Sequence, residues 1–394
     1  MVRYNLDEVS DEMVLGENIF SPNGDLLLAA GFRLSEPFRK RLRQLGFIHV
    51  YIQVFGTEDV VPEQVVSEHI QREIASAVNK GTTDLRHAFN VRMESSTHIR
   101  KMIRQNRQHL NKFLSSGNFL GAVEKMIDEI LSNPTVMLNM ETLKNAGQEL
   151  FSHALNVTVI SMAIGRKYRF SYEEMKQLAL GAINADIGLI AVPEDVRKSA
   201  PDAMDDYGRE LYKNHTLYGY LMLSQNHTIT PTSAAVALQH HEHQDGSGYP
   251  RGIKGENRPP MKDLMRKGVI HRFAEIVAVA DTFDTLCSGR NGNAGIDVRE
   301  AMKRLIELSG QVLNSDIVKT LASIVPTFPT GARFRIVEAP SSQLIGYFGV
   351  VAKTNEENLE CPQIILYESK NRQKIKPIFI DLALHSGFQL EVVL

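Results

Sequence analysis

His240-His241-Glu242-His243-Gln244-Asp245-Gly246-Ser247-Gly248-Tyr249-Pro250 places three histidines and two carboxylates within six residues, followed at once by a glycine-rich turn. Adjacent histidines ahead of such a turn can aim two imidazoles into one pocket, and imidazole is the commonest biological ligand of first-row metals. A polar surface loop with a chance histidine pair has the same composition, so the rest of the chain has to decide between metal site and loop.

Outward from this stretch, polar groups interrupt apolar helical faces. Gln148 to Lys167 reads as a helix with Leu150, Leu155, Val157, Ile160 and Ile164 on its apolar side. Glu149 and His153 stand at i and i+4 and share a face. Glu173 to Ile190 reads as a second helix, leading into Asn184-Ala185-Asp186-Ile187-Gly188. His215 opens a helix through Gly219, Leu221 and Leu223, and Ala234 to His241 is a short apolar helix that delivers the histidine pair. Ile276-Val277-Ala278-Val279-Ala280-Asp281 is a small-residue apolar segment ending in a carboxylate, with Asp284 at i+3. A single buried histidine is ordinarily a hydrogen-bonded core residue. Glu149, His153, Asp186, His215, His240, His241, Asp281 and Asp284 together are hard to satisfy in pairs, because an unpaired buried charge is costly. A di- or trinuclear metal centre satisfies them at once, and mixed His and carboxylate ligation suits Fe, Mn, Zn or Ni.

These residues, in this order, resemble an HD-GYP domain, the branch of the HD-type metal phosphohydrolases whose substrate is cyclic di-GMP. The motifs that carry the resemblance begin with His153-Ala154-Leu155-Asn156-Val157 after Glu149, then Asp186-Ile187-Gly188 and His215 with Gly219. They continue through His240-His241-Glu242, Asp245-Gly246-Ser247-Gly248-Tyr249-Pro250, Arg251-Gly252-Ile253-Lys254-Gly255 and Ala278-Val279-Ala280-Asp281-Thr282-Phe283-Asp284. The resemblance implies a mainly α fold with an HD-type helical bundle at its core. It implies a divalent transition metal, Fe or Mn foremost, bound by Glu149, His153, Asp186, His215, His240, His241 and Asp281. Asp186 is then the catalytic carboxylate, bridging two ions and polarising a hydroxide for in-line attack on phosphorus. Asp284 supports the site, and Gly248, Tyr249 and Arg290 contact the substrate, Arg290 as a guanidinium on phosphate.

The pattern breaks in one short stretch. Ala185 stands where the family has the histidine of its His-Asp pair, and Leu189 where a lysine follows Asp-Ile-Gly. The alanine removes a ligand and the leucine removes a cation for phosphate. Loss of a group that merely orients a ligand costs about 10–100-fold in affinity or activity, so loss of a ligand should cost more. Asn293 replaces a second basic contact, Glu275 replaces an arginine, and Glu256 to Ile270 looks like an insertion carrying Lys262, Arg266 and Lys267. Asn184 points away from the missing histidine on a helix, while His243 or a water could fill the gap. Two functions follow. The favoured one is a degenerate HD-GYP protein in cyclic di-GMP signalling, metal-binding with lost or weak hydrolysis and acting as a nucleotide- or partner-binding effector. The alternative is an active metal-dependent cyclic di-GMP phosphodiesterase.

The bulk numbers agree with either. A length of 394 residues suggests two or three domains, and a net charge of −2 gives no reason to expect capture of DNA, RNA or an anionic membrane. Cys287 and Cys361 are too few for a disulfide framework, so a reducing cytoplasm fits. No apolar run approaches the ~18 residues of a membrane span. Residues 1–60 read as a small α/β module, regulatory or a structural cap, with a strand near Met13 to Phe20 and a turn at Ser21-Pro22-Asn23-Gly24-Asp25. Residues 61–134 read as a helical connector with two apolar stripes. Val65, Ile70, Ile74 and Val78 form one; Ile99, Ile103, Leu110 and Phe113 form the other, on a basic helix. The connector could be a signalling stalk or homodimer face, and packing on a neighbouring helix is the favoured reading. Residues 135–325 hold the HD-GYP helical domain, and residues 326–394 alternate like a small β-rich unit, a partner module or a stabilising appendage.

Overall fold

Short apolar runs at the two ends of the chain have no partner close in sequence, and they pack on each other. In the computed structural model, residues 1–20, 26–45, 47, 49–62, 65–89, 96–133, 149–199, 203–261, 268–288, 295–355 and 357–393 are described. Met1–Gln64 and Val325–Leu394 belong to one compact unit, and Val65–Val136 with Glu149–Ile324 form a second.

In the first unit β1 (Val2–Asn5) pairs antiparallel with β4 (His49–Ile52), and β2 (Ile19–Phe20) with β3 (Leu26–Leu28). Helix α1 (Glu36–Gln44) lies between β3 and β4 in the chain. A five-stranded antiparallel sheet follows, from β5 (Arg333–Glu338), β6 (Phe348–Lys353), β7 (Gln363–Glu368), β8 (Lys374–Asp381) and β9 (Gln389–Val392), in the order β8-β7-β6-β5-β9. Ile364 and Leu366 face a core with Phe334 and Ile336, while Ile365 and Tyr367 face another with Val2, Leu15 and Ile52. Burial on both faces is why this strand is continuously apolar instead of alternating. The strand expected over Met13 to Phe20 is confined to Ile19–Phe20, with Val14 and Leu15 making isolated bridges to Arg33 and Ile52. The turn at 21–25 lies outside the described residues.

The second unit is helical. Its first helices are α2 (Glu68–Phe89), α3 (Ser96–Gln105), α4 (Arg107–Leu114) and α5 (Gly117–Ser132). Ile70, Ile74, Val78, Ile99, Ile103, Leu110 and Phe113 are all buried, so both apolar stripes of the connector are internal. The basic stretch is two helices, not one. They are parted at Asn106, whose side-chain amide turns back to the Met102 carbonyl at 3.1 Å. Such local bonding competes with helix continuation.

Next come α6 (Glu149–Lys167), α7 (Tyr172–Ile183), α8 (Glu194–Lys198), α9 (Asp206–Lys213), α10 (His215–Leu223) and α11 (Pro231–Gln239). The unit closes with α12 (Arg272–Ser288), α13 (Val298–Leu308) and α14 (Ser315–Ala322). A capping box starts α7, with Ser171 and Glu174 exchanging backbone and side-chain bonds. Helix α12 buries Phe273, Ala274, Ile276, Val277, Val279, Ala280 and Phe283, the pattern of a helix enclosed on all sides. It packs against α6, α7, α11, α13 and α14. Among the described residues no helix is long and apolar enough to cross a membrane. The protein is mainly α, with a helical bundle and a small C-terminal antiparallel sheet.

The helix expected over Glu173 to Ile190 ends at Ile183 and resumes as a 3-10 turn over Ile187–Ala191. Gly188 explains why. A β-carbon there would overlap the His215 carbonyl and the Gly219 amide. The 3-10 turn is pressed onto the first turn of α10, and that close approach sets Asp186 opposite His215.

Candidate metal centre

Each candidate ligand sits where a helix begins, ends or packs. Asp186 precedes the 3-10 turn, His215 is the first residue of α10, and His240 caps α11 with His241 next. The Nδ1 of His215 lies 2.6 Å from the Tyr212 carbonyl, and that of His240 lies 3.1 Å from the Val236 carbonyl. A carbonyl only accepts, so each Nδ1 carries a proton, and in the neutral ring Nε2 presents the lone pair. Both Nε2 atoms are buried and make no hydrogen bond among the described residues. They face Asp186 Oδ1 at 3.4 and 3.6 Å. One ligand atom each from Asp186, His215, His240 and His241 fall within 4.8 Å of one another.

Electrostatics keeps two imidazoles of this quartet neutral. Burial pushes the His215 pKa down to about 4. Burial, together with the neighbouring His240 and His215, pushes His241 well down. Both are neutral imidazoles near pH 7, the form that binds a cation. For His240 burial also opposes charge, but the Asp186 carboxylate outweighs it and the pKa is raised.

His153 is arranged differently. Its Nδ1 is 2.7 Å from Asp284 Oδ2, and its Nε2 is 2.8 Å from Asp281 Oδ1 and 3.8 Å from Asp186 Oδ2. Asp284 is itself buried and also accepts from Asn156 Nδ2 at 2.8 Å and Ser288 Oγ at 3.0 Å. Burial would raise the Asp281 pKa, yet the His153 bond holds it down at about 2. A pocket beside this pair is lined by His153, Ala154, Val157, Ala182, Ala185, Asp186, His240, Val277 and Asp281. Ala185 therefore stands at the pocket, where an imidazole would have reached it. His243 is not among the pocket's lining residues, its Nδ1 lying 2.9 Å from Ser247 Oγ, and Asn184, expected to point away, donates to the Leu180 carbonyl at 2.9 Å. Leu189 is buried and apolar.

The loop after the histidine pair is held by buried acceptors. Glu242 takes the amides of Arg251 at 2.8 Å and Ile253 at 3.0 Å. Gln244 donates to Glu275 at 2.7 Å and accepts from the Asn257 amide at 3.0 Å. Burial pushes the Glu275 pKa up to about 7. Gly248 touches the backbone so closely that a β-carbon would overlap the His241 carbonyl, the His243 amide and the Glu242 α-carbon. Tyr249 folds back, its amide 3.0 Å from the His241 carbonyl and its ring stacked on His241 at 4.8 Å. Lys213 Nζ lies 5.4 Å from the centre of that ring.

The structure thus brings together Asp186, His215, His240, His241, His153, Asp281 and Asp284, with Gly248 and Tyr249 beside them. Glu149 is the first residue of α6, but its side chain, like Arg290, Asn293, Lys262, Arg266 and Lys267, lies outside the described residues. Sequence reasoning passed over Asn156 and the anchoring role of Glu242. Asn156 was findable as the i+3 neighbour of His153 on one helical face. Glu242 gave no such signal, because its partners are loop amides.

The described donors fit a divalent transition ion: three imidazoles and a carboxylate, two of the imidazoles with orphaned buried nitrogens. Residues 124–317 match the HD domain family, a metal-dependent family. The chain is 23% identical to a cyclic di-GMP phosphodiesterase of Pseudomonas aeruginosa over 89% of its own length and 81% of the relative's. It is 30% identical to a cyclic di-GMP phosphodiesterase of Thermotoga maritima over 52% of this chain and 51% of that one, so it spans about half of that relative. A solved HDG"Y"P protein from Bdellovibrio bacteriovorus aligns with 82% of this chain and 98% of its own at 18% identity, with a TM-score of 0.48. With an HD domain match across the helical unit and the Gly248-Tyr249-Pro250 turn beside the histidine pair, the chain belongs to the HD-GYP branch of the HD domain family.

Proposed function

We propose that this chain acts in cyclic di-GMP signalling as a metal-binding HD-GYP protein whose hydrolysis is lost or weak, and that it works as a nucleotide- or partner-binding effector. The observation that carries this reading is Ala185, which lines the same pocket as His153, Asp186, His240 and Asp281. An alanine there contributes neither a ligand nor a proton acceptor. Leu189 contributes no charge to a phosphate.

Asp186, His215, His240 and His241 would hold the ion, which supplies Lewis acidity toward a phosphodiester when bound. The protein's own part is to keep His215 and His241 neutral, to orient His215 and His240 through their backbone carbonyls, and to fix the loop that carries Tyr249 through Glu242. Tyr249 and Arg290 are the proposed nucleotide contacts, Arg290 as a fork on phosphate. The similarity to two cyclic di-GMP phosphodiesterases supports the nucleotide class.

Titration of the purified protein with cyclic di-GMP, beside a hydrolysis assay supplied with Mn(II) or Fe(II), tests the proposal. Binding without turnover is the expected result. Turnover that His240→Ala abolishes would overturn it in favour of an active phosphodiesterase, a reading favoured by the intact quartet.

A further inference from the structure

The loop that follows the histidine pair is closed at both of its ends by one turn of the chain. That turn, residues 309–314, joins α13 to α14, and Gly310 carries it round at a φ of +87°. It takes the start of the loop through the backbone. The Gln244 amide lies 3.1 Å from the Val312 carbonyl, and the Asp245 amide 2.8 Å from the Gln311 carbonyl. It takes the end of the loop through Asn257 and Arg258. Asn257 Nδ2 donates to the Gly310 carbonyl at 2.7 Å, Asn257 Oδ1 accepts from the Ser315 amide at 3.0 Å, and Asn314 Nδ2 donates to the Arg258 carbonyl at 2.9 Å.

Asn257 is the residue on which these bonds converge. Ser315 is the first residue of α14, so its amide is one of the donors that a helix leaves without an internal partner. Asn314 caps the Asp316 and Ile317 amides at 3.0 and 3.4 Å, and the loop supplies the acceptor for Ser315. The backbone amide of Asn257 lies 3.0 Å from Gln244 Oε1, which ties the two ends of the loop to each other. Asn257 sits at a φ of +49°, in the left-handed region that asparagine tolerates better than most side chains. Between these ends lies Tyr249, whose amide is 3.0 Å from the His241 carbonyl and whose ring stacks on His241 at 4.8 Å. A shift at the end of the loop therefore reaches His241 by two routes, through Tyr249 and through Gln244, three residues along the chain.

From this geometry we infer that Asn257 is a positioning residue of the metal centre: by latching the loop to the turn between α13 and α14 it sets the orientation of His241 in the quartet. The inference rests on the metal-binding reading above. Among the described residues Asn257 bonds to Gln244, Gly310 and Ser315 and to none of the quartet, so it acts only through the loop. Asp186, His215 and His240 lie outside the loop, and the latch governs one ligand of the four.

The test is the affinity of the full chain for Mn(II), titrated after removal of metal with chelator, with the electron paramagnetic resonance spectrum of the bound ion recorded. Asn257→Gly keeps the left-handed backbone and removes both side-chain bonds. It should weaken Mn(II) binding by about tenfold, the low end of the loss expected when a group that orients a ligand is removed, and should alter the spectrum. Asn257→Asp keeps the acceptor for the Ser315 amide and loses the donor to Gly310, so its affinity should fall between the two. Tyr168→Phe removes the hydroxyl bonds to Asp316 and Thr320 without touching the loop, and it should bind Mn(II) as the unaltered chain does.

Unaltered affinity and spectrum in the folded Asn257 variants would overturn the inference. So would an equal loss of affinity in Tyr168→Phe, which would mark the effect as one of stability alone. The outcomes also separate the two proposals. An unaltered chain that takes up no Mn(II) sinks the metal-binding reading and this inference with it, whereas normal uptake by the unaltered chain and by both Asn257 variants sinks this inference alone.

Discussion

On one side of Asp186, His215 and His240 are fixed by the carbonyls of Tyr212 and Val236 and direct bare nitrogens at the carboxylate. On the other side, His153 lies between Asp281 and Asp284 with both nitrogens engaged. Both walls are buried, and both are made of histidine and aspartate. What separates them is the second partner of each ring. A neutral backbone carbonyl fixes a tautomer and leaves the other nitrogen without a hydrogen bond, whereas each nitrogen of His153 meets a carboxylate. The first wall is prepared for a cation from solution. The second is tied into a buried hydrogen-bond network through Asp284. Ala185 lines the pocket at that second wall.

The comparison breaks first at Asp284, which is buried and holds His153, Asn156 and Ser288. Asp284→Ala should destabilise the helical unit by about 3–5 kcal/mol, because the buried His153 and Asn156 lose their shared partner at about 1–3 kcal/mol each. Urea unfolding followed by circular dichroism reads this. Manganese retained by the variant would show that the two walls are energetically separate, and its loss would show that they are one structure.

The loop that frames the first wall is tested at Glu275, whose pKa is raised from 4.5 to about 7 by burial. The folded state therefore holds this proton more tightly than the unfolded chain. The stability it contributes is fully present below pH 4.5 and is lost as pH rises through about 7. Glu275→Gln keeps an acceptor for Gln244 and removes that dependence. It should leave stability near pH 4.5 little changed and raise it at pH 8 by on the order of 3 kcal/mol. Equal effects at both pH values would show that Glu275 ionises normally in the fold.

The smallest change sharpens the first wall alone. Gly248→Ala puts a methyl against the His241 carbonyl and the Glu242 α-carbon, and should cost about 1–3 kcal/mol as overpacking. Because the displaced backbone carries His241, manganese affinity should fall with stability. A stable variant with unaltered affinity would mean that the loop yields without moving the histidine.

The sequence by itself determined the chemistry available and much of the scaffold. Helical periodicity marked the core helices, with Leu155, Val157, Ile160 and Ile164 all buried as their spacing requires. Ordered motifs identified the quartet and its loop, because ligand types at fixed helical offsets are local information. Ala185 and Leu189 were visible as departures for the same reason.

Only the tertiary structure decided which of these residues act together. The break of α7 at Asn184, enforced by the contact of Gly188 with His215, is set between segments far apart in the chain. So is the joining of the two chain ends into one unit, where Ile364 to Tyr367 are buried on both faces. The pairing of His153 with Asp281 and Asp284 spans α6 and α12, and no local pattern distinguishes a histidine with one carboxylate neighbour from one with two. That distinction depends on distances of about an ångström between packed helices. Those distances follow from side-chain packing across the whole unit, not from any stretch of sequence.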